Sequence, residues 1–180
     1  MRHLLAVFLV LFFSVAHGQE LLGRVVGVTD GDTLTVLDTR NVQHEIRLAA
    51  IDSPETSCHQ RRPSQYAEQC VEKGQAFGKA AKKSLSDLAY GRDVMVVLQP
   101  GDSYGRKIGI VWVGPIDTSL MQVTRGHAWH YKQYAKRYQS AADLAQYSNA
   151  EQVARNQRLG LWADAAPIEP WVYRREKRAQ

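Results

Sequence analysis

Three short clusters carry residue types that could do phosphate chemistry. The first is Asp30-Gly31-Asp32-Thr33. The second runs from Arg47 through Leu48-Ala49-Ala50-Ile51 to Asp52-Ser53-Pro54-Glu55. The third is Asp102-Ser103-Tyr104-Gly105-Arg106. Each has a plain structural reading when taken alone. Asp-Gly is a common turn dipeptide, the acids of the second cluster could be surface residues at a strand end, and Arg106 could be an exposed hairpin arginine. Together they supply the parts of metal-assisted phosphodiester cleavage. Carboxylates and carbonyl oxygens suit a hard cation such as calcium. The cation polarises a phosphate oxygen and orients a water, and a further carboxylate positions or deprotonates that water. Two guanidinium groups offer forked donors to the phosphate oxygens as charge develops.

The elements that must hold these clusters follow from pattern. Leu22–Val28 and Thr33–Leu37 read as strands around an Asp-Gly hairpin signal. His44–Ala50 is the next strand, with Ile46 and Leu48 on one face and Arg47 on the other. Ser53-Pro54 ends it, and a polar stretch from Glu55 to Gln69 reads as a loop. The period turns helical from about Val71 to Tyr90, with Phe77, Ala81, Leu85 and Leu88 on one face and Gly91 as the stop. Val94–Leu98 and Ile108–Val113 are two more strands, with Pro100-Gly101-Asp102 as turn chemistry between them. Asp117–Arg125 and Ser140–Arg158 read as helices closed by Gly126 and Gly160. Five strands with interspersed helices indicate a small α+β domain, a β-barrel with packed helices. Periodicity alone also admits other α+β folds.

Length and composition agree. The chain has 180 residues, 44% apolar and 23% charged, which excludes a wholly disordered chain and suits one domain. Lys plus Arg is 23 and Asp plus Glu 18, a net charge of +5. Residues 1–18 have the layout of a signal peptide: Arg2, the apolar run Leu4–Val15, then Ala16-His17-Gly18. That run is too short to span a bilayer as a helix; an uncleaved anchor is the alternative. The expected product is secreted or periplasmic, without stable membrane association. In an oxidising compartment Cys58 and Cys70 read as a disulfide closing a loop, with two free thiols as the alternative. A metal site using His59 is a lesser alternative, because two cysteines and one histidine are too few ligands to assign zinc. Arg174, Arg175, Lys177 and Arg178 crowd a basic tail, residues 167–180, which reads as a solvated end.

The three clusters, in order and at similar spacings, resemble the signature blocks of the staphylococcal nuclease (thermonuclease) family. Leu159-Gly160-Leu161-Trp162 after an Ala-rich helix resembles that family's C-terminal hallmark. The resemblance covers about Leu22 to Ala163, within a nuclease domain at 19–166. It implies an OB-fold five-stranded barrel with three helices. It also implies calcium-dependent hydrolysis of DNA and RNA at the 5′ P–O bond, leaving 3′-phosphates. Residue by residue, Asp32 and Asp52 match the calcium carboxylates, and Ser53 stands where a backbone carbonyl reaches calcium. Glu55 matches the carboxylate near the attacking water, as general base or as organiser. Arg47 and Arg106 match the phosphate-binding arginines, Tyr104 a tyrosine on a neighbouring phosphate, and Asp30 an acid near the calcium.

The sequence also departs from the pattern. Ser103 stands where a basic residue often precedes Tyr-Gly-Arg, which predicts weaker substrate binding more than weaker chemistry. The cysteine-bearing loop lies outside the signature. Tyr131 and Tyr134 fall in the region that supplies base-stacking tyrosines, with Tyr134 the candidate substrate contact; stacking suits single or frayed strands. Packing is the other reading of both. His127 and His130 read as structural, and Trp112, Trp129, Trp162 and Trp171 as packing residues. The expectation is a monomeric enzyme. The alternative from another class is a non-catalytic OB-fold module binding nucleic acid or protein. The presence of Asp32, Arg47, Asp52, Glu55 and Arg106 together favours the enzyme.

Overall fold

In the computed structural model, which describes residues 19–56, 74–103 and 105–178, five strands close into a barrel. Strands β1 (Glu20–Asp30), β2 (Thr33–Asp38) and β3 (Gln43–Leu48) form an antiparallel meander. After the two-residue β4 (Ile51–Asp52), strand β5 (Asp93–Ser103) pairs with the other edge of β1, and β6 (Arg106–Val113) pairs with β5. The barrel closes where β6 runs parallel to β3, with Arg47 opposite Ile108 and Leu48 opposite Gly109. Short strands β7 (Ile116–Asp117) and β8 (Trp129–His130) pair antiparallel with β6 and β4, respectively. The helices are α1 (Gly78–Ala89), α2 (Thr118–Thr124), α3 (Lys132–Ala135), α4 (Ala141–Asn156) and α5 (Pro170–Arg178). A 3-10 turn spans Gly160–Ala163. This is the expected OB-type α+β fold. Helices α1, α2 and α4 are the three anticipated, and α3 and α5 are additions. Among the described residues, no helix is long and apolar enough to cross a membrane.

Alternation builds the core. Leu34 and Val36 of β2, Ile46 and Leu48 of β3, Val94 and Val96 of β5 and Val111 of β6 all face inward, and Leu85 of α1 and Val123 of α2 cover them. Each such side chain contributes about 1.5–3 kcal/mol of transfer free energy. A second cluster joins Trp129, Ala154, Leu161 and Trp162, with Phe77 and Trp171 packed against it. The Trp129 and Trp162 rings meet edge-on at 4.3 Å, and the Arg155 guanidinium lies 3.9 Å from the Trp162 ring centre. These three tryptophans, 129, 162 and 171, are packing residues as expected. Gly126 and Gly160 make this corner possible. A Cβ on Gly160 would stand 2.1 Å from the Gly126 carbonyl oxygen, and both glycines have positive φ.

Three expectations need correction. The helix read from about Val71 begins at Gly78, after Phe77 in a left-handed conformation (φ 66°). Pro100-Gly101-Asp102 is not the turn between strands. It is an irregularity within β5, where the ladder shifts between Gln99 and Asp102, and the chain reverses between Ser103 and Arg106. Proline and a positive-φ glycine interrupt ladder hydrogen bonds, which a bulge absorbs as readily as a turn. Finally, residues 170–178 of the basic tail form helix α5, docked on the barrel rather than solvated along their length. The leader at 1–18, Cys58, Cys70, His59 and Tyr104 lie outside the described residues.

Candidate active site

The first cluster folds as the β1–β2 hairpin. Asp30 pairs with Thr33, which leaves Gly31 and Asp32 as the connecting residues. Gly31 is required by close approach: a Cβ there would meet the Ala81 Cβ at 2.5 Å and the Ser53 side chain at 2.7 Å. The turn is also pinned from behind. Gln122, fully buried on α2, donates to the carbonyl of Gly31 at 2.8 Å and to that of Ala81 at 3.0 Å. The Asp32 amide donates to Asp30 Oδ1 at 3.1 Å. Asp32 itself is 3% exposed.

The second cluster leaves β3 through Ala49 and Ala50. Ala50 takes φ 68°, a left-handed conformation that costs a non-glycine residue about 1–2 kcal/mol. The turn is held by the Ala49 amide on the Gly109 carbonyl and the Tyr131 amide on the Ala50 carbonyl, both at 2.9 Å. It re-aims the chain so that Asp52, wholly buried on β4, stands beside Arg47. Arg47 Nη2 donates to Asp52 Oδ1 at 2.8 Å, while Nη1 pairs with Asp32 Oδ2. One guanidinium thus ties the two buried acids together. The Ser53 amide adds a 2.8 Å hydrogen bond to the same Asp32 oxygen. From β6, Arg106 donates to Thr33 Oγ1 at 3.3 Å, and Thr33 Oγ1 donates to Asp32 Oδ1 at 3.2 Å. Both arginines therefore converge on Asp32, one directly and one through Thr33.

Glu55 follows Pro54 in extended chain, its amide 3.3 Å from Gln75 Oε1. Burial pushes its pKa up, while the charge of Arg174 pulls it back. Burial likewise raises Asp30, against the pull of Arg47 and Arg106. Arg174, on α5, was not among the residues singled out from sequence. Its Nη2 lies 2.6 Å from Asp52 Oδ2, and its Nη1 donates to Asp52 Oδ1 at 3.1 Å and also to Glu55 Oε1. Burial opposes charge on this guanidinium, but its bonds to Asp52 and Glu55 outweigh it and raise its pKa. Pro170 at the helix start and the aromatic Trp171 beside it were the available signals; the surrounding charge masked them.

Tyr134 is 41% exposed, and its ring lies 4.7 Å from that of Tyr131. Tyr131 stacks flat on Trp171, with ring centres 4.6 Å apart and planes 6° apart. His130 is structural, its ring nitrogens engaged with Gln139 and Ser148. Among the described residues, no three His, Cys, Asp or Glu side chains form a ready-made metal cage. The candidate donors are the two carboxylates, Asp32 and Asp52, and the Ser53 carbonyl. They are all hard oxygens in a buried place where guanidinium charge already balances the acids. That chemistry fits a calcium-type ion whose shell is completed by water.

An OB-type barrel with buried acids and arginines gathered at one mouth is the setting of a phosphodiester-handling protein. A family model described as staphylococcal nuclease homologue matches residues 45–164. The chain is 36% identical over 180 residues to an uncharacterized endonuclease of Haemophilus influenzae, covering 98% of this chain and 88% of that protein. It is 36% identical to a micrococcal nuclease of Shigella flexneri, over 94% of this chain and 90% of the other. It is 33% identical to the staphylococcal-like nuclease CAN1 of Arabidopsis thaliana, over 74% of this chain and 34% of that one. The chain belongs to the staphylococcal nuclease family, a family of phosphodiester-hydrolysing nucleases.

Proposed function

We propose that the protein is an exported, calcium-dependent nuclease that hydrolyses DNA and RNA at the 5′ P–O bond and leaves 3′-phosphates. The observation that carries this reading is the convergence of Arg47 and Arg106 on Asp32, with Asp52 and Glu55 beside them. Asp32, Asp52 and the Ser53 carbonyl would hold the cation, which would polarise the phosphate when bound. Arg47 and Arg106 would turn their forked donors to the phosphate oxygens as charge accumulates in the transition state. Glu55 would accept a proton from the attacking water, and burial, which raises its pKa, strengthens it as a base. Water oxygen bonds to phosphorus, the bond to the 5′ oxygen breaks, and that oxygen takes up a proton. The exposed Tyr134 ring offers a base-stacking face, which favours single or frayed strands. The leader at residues 1–18 supports secretion or delivery to a periplasm. N-terminal sequencing of the exported chain tests that part, and a start at Met1 would refute cleavage.

The chemistry is tested on single-stranded DNA and RNA with calcium, with chelator, and with Arg106→Ala in parallel. The expected result is cleavage that requires calcium, leaves 3′-phosphate ends, and falls about 10³-fold or more in the variant. Retained binding with no cleavage under any divalent metal would instead show a binding module on this fold.

A further inference from the structure

Helix α5 lies across the candidate site, and each of its main contacts imitates something the site is built to bind. Arg174 places a cation on Asp52 and Glu55, the same acids assigned to metal and water. Trp171 lays a flat ring on Tyr131, beside the Tyr134 ring assigned to base stacking. The helix is otherwise lightly anchored. Of its nine residues only Pro170 is buried. A pocket of about 280 Å³ opens beside it, lined among others by Pro54, Phe77, Trp129, Leu161 and Tyr173. A helix this short is marginal without packing, so its docking draws on the Trp171 contacts with Tyr131 and Trp129 and on the Arg174 ion pairs.

We propose that α5 is a releasable strap, in which Arg174 stands in for the divalent cation and Trp171 for a base, so that cation and polynucleotide must displace it before cleavage. The inference rests on the calcium-dependent reading above and adds a regulatory element to it. A cation held by Asp52 would meet the Arg174 charge on both oxygens of that carboxylate. Cation binding and strap closure are therefore negatively coupled, and the coupling is reciprocal.

The test measures calcium binding by titration calorimetry and amide exchange of residues 170–178 on the purified full chain. Arg174→Ala should lower the calcium Kd about tenfold. Arg175→Ala removes the same charge from the same helix without touching the acids, and should change the Kd less than about twofold. Arg174→Gln keeps more of the packing and should behave like Arg174→Ala. Saturating calcium should speed exchange across α5 in the unaltered protein and leave β1–β3 unchanged. Equal calcium affinity in the unaltered chain and both Arg174 variants, with α5 protection unmoved by calcium, would overturn the strap and leave the metal reading standing. A flat isotherm for every chain would overturn the calcium reading, and the competition with it.

Discussion

Arg47 shows how one side chain does structural and chemical work together. Its guanidinium joins two buried carboxylates that would otherwise repel. Removing it would leave uncompensated buried charge, so its variants confound folding with turnover. Arg106, which reaches Asp32 through the Thr33 hydroxyl, makes the cleaner test of catalysis. Away from the site, Asp38 offers a separable electrostatic measurement. Its pKa is held at about 2, first by its hydrogen bond with His44 and then by the amides of Val42 and Arg40, against 3.8 for a free side chain. A carboxylate depressed by folding stabilises the fold above its free pKa, and that contribution is lost as pH falls to the folded value. Asp38→Asn should therefore lower Tm at neutral pH, with the gap closing from 3.8 down towards about 2. Thermal melts across that range read it directly, and a gap independent of pH would refute the assignment.

At the scale of elements, the site depends on how α2 grips the hairpin turn. Gln122 is buried and donates to Gly31 and Ala81, coupling α2 and α1 to the residue before Asp32. Gln122→Leu should cost about 2 kcal/mol, from buried carbonyls losing donors, and should also lower kcat by loosening Asp32. Ser140→Ala is the comparison. It breaks the capping box of α4, remote from the acids, and should cost about 1 kcal/mol with turnover intact. Denaturant midpoints and single-turnover rates separate the two. This contrast also marks what could be read from the sequence. Strand alternation at Leu34–Val36 and Ile46–Leu48 was legible because the residues between these core positions are polar and only half-buried. The acids and arginines were legible because their spacing is set by a tight turn and one short strand. Gln122 was not legible: a glutamine within a short helix gives no sign of which distant carbonyl it will meet. Arg174 was hidden for a related reason. It lies among Arg175, Lys177 and Arg178, and only the docking of Trp171 separates it from its solvated neighbours.

For the whole molecule, two hydrophobic clusters and a closed barrel supply the buried core. The acids at the mouth are already neutralised by Arg47 and Arg174, and the core beneath them is aliphatic. Chelation should therefore abolish cleavage and leave far-ultraviolet circular dichroism unchanged. Added calcium should raise Tm only by the mass-action increment of a bound ligand. Unfolding by chelator alone would show that the ion is structural. The parallel pairing of β3 with β6 has a kinetic consequence. Such a junction closes late, because strands distant in sequence must meet before any bond rewards them. Asp32, Arg47, Asp52 and Glu55 all emerge early in synthesis, whereas Arg106 reaches Thr33 across 73 residues, on the strand that shuts the barrel. A growing chain therefore carries its acids without a working centre, and competence to cut arrives with ring closure. The order in which the strands are laid down thus delays the meeting of Arg106 with the acids until the barrel shuts.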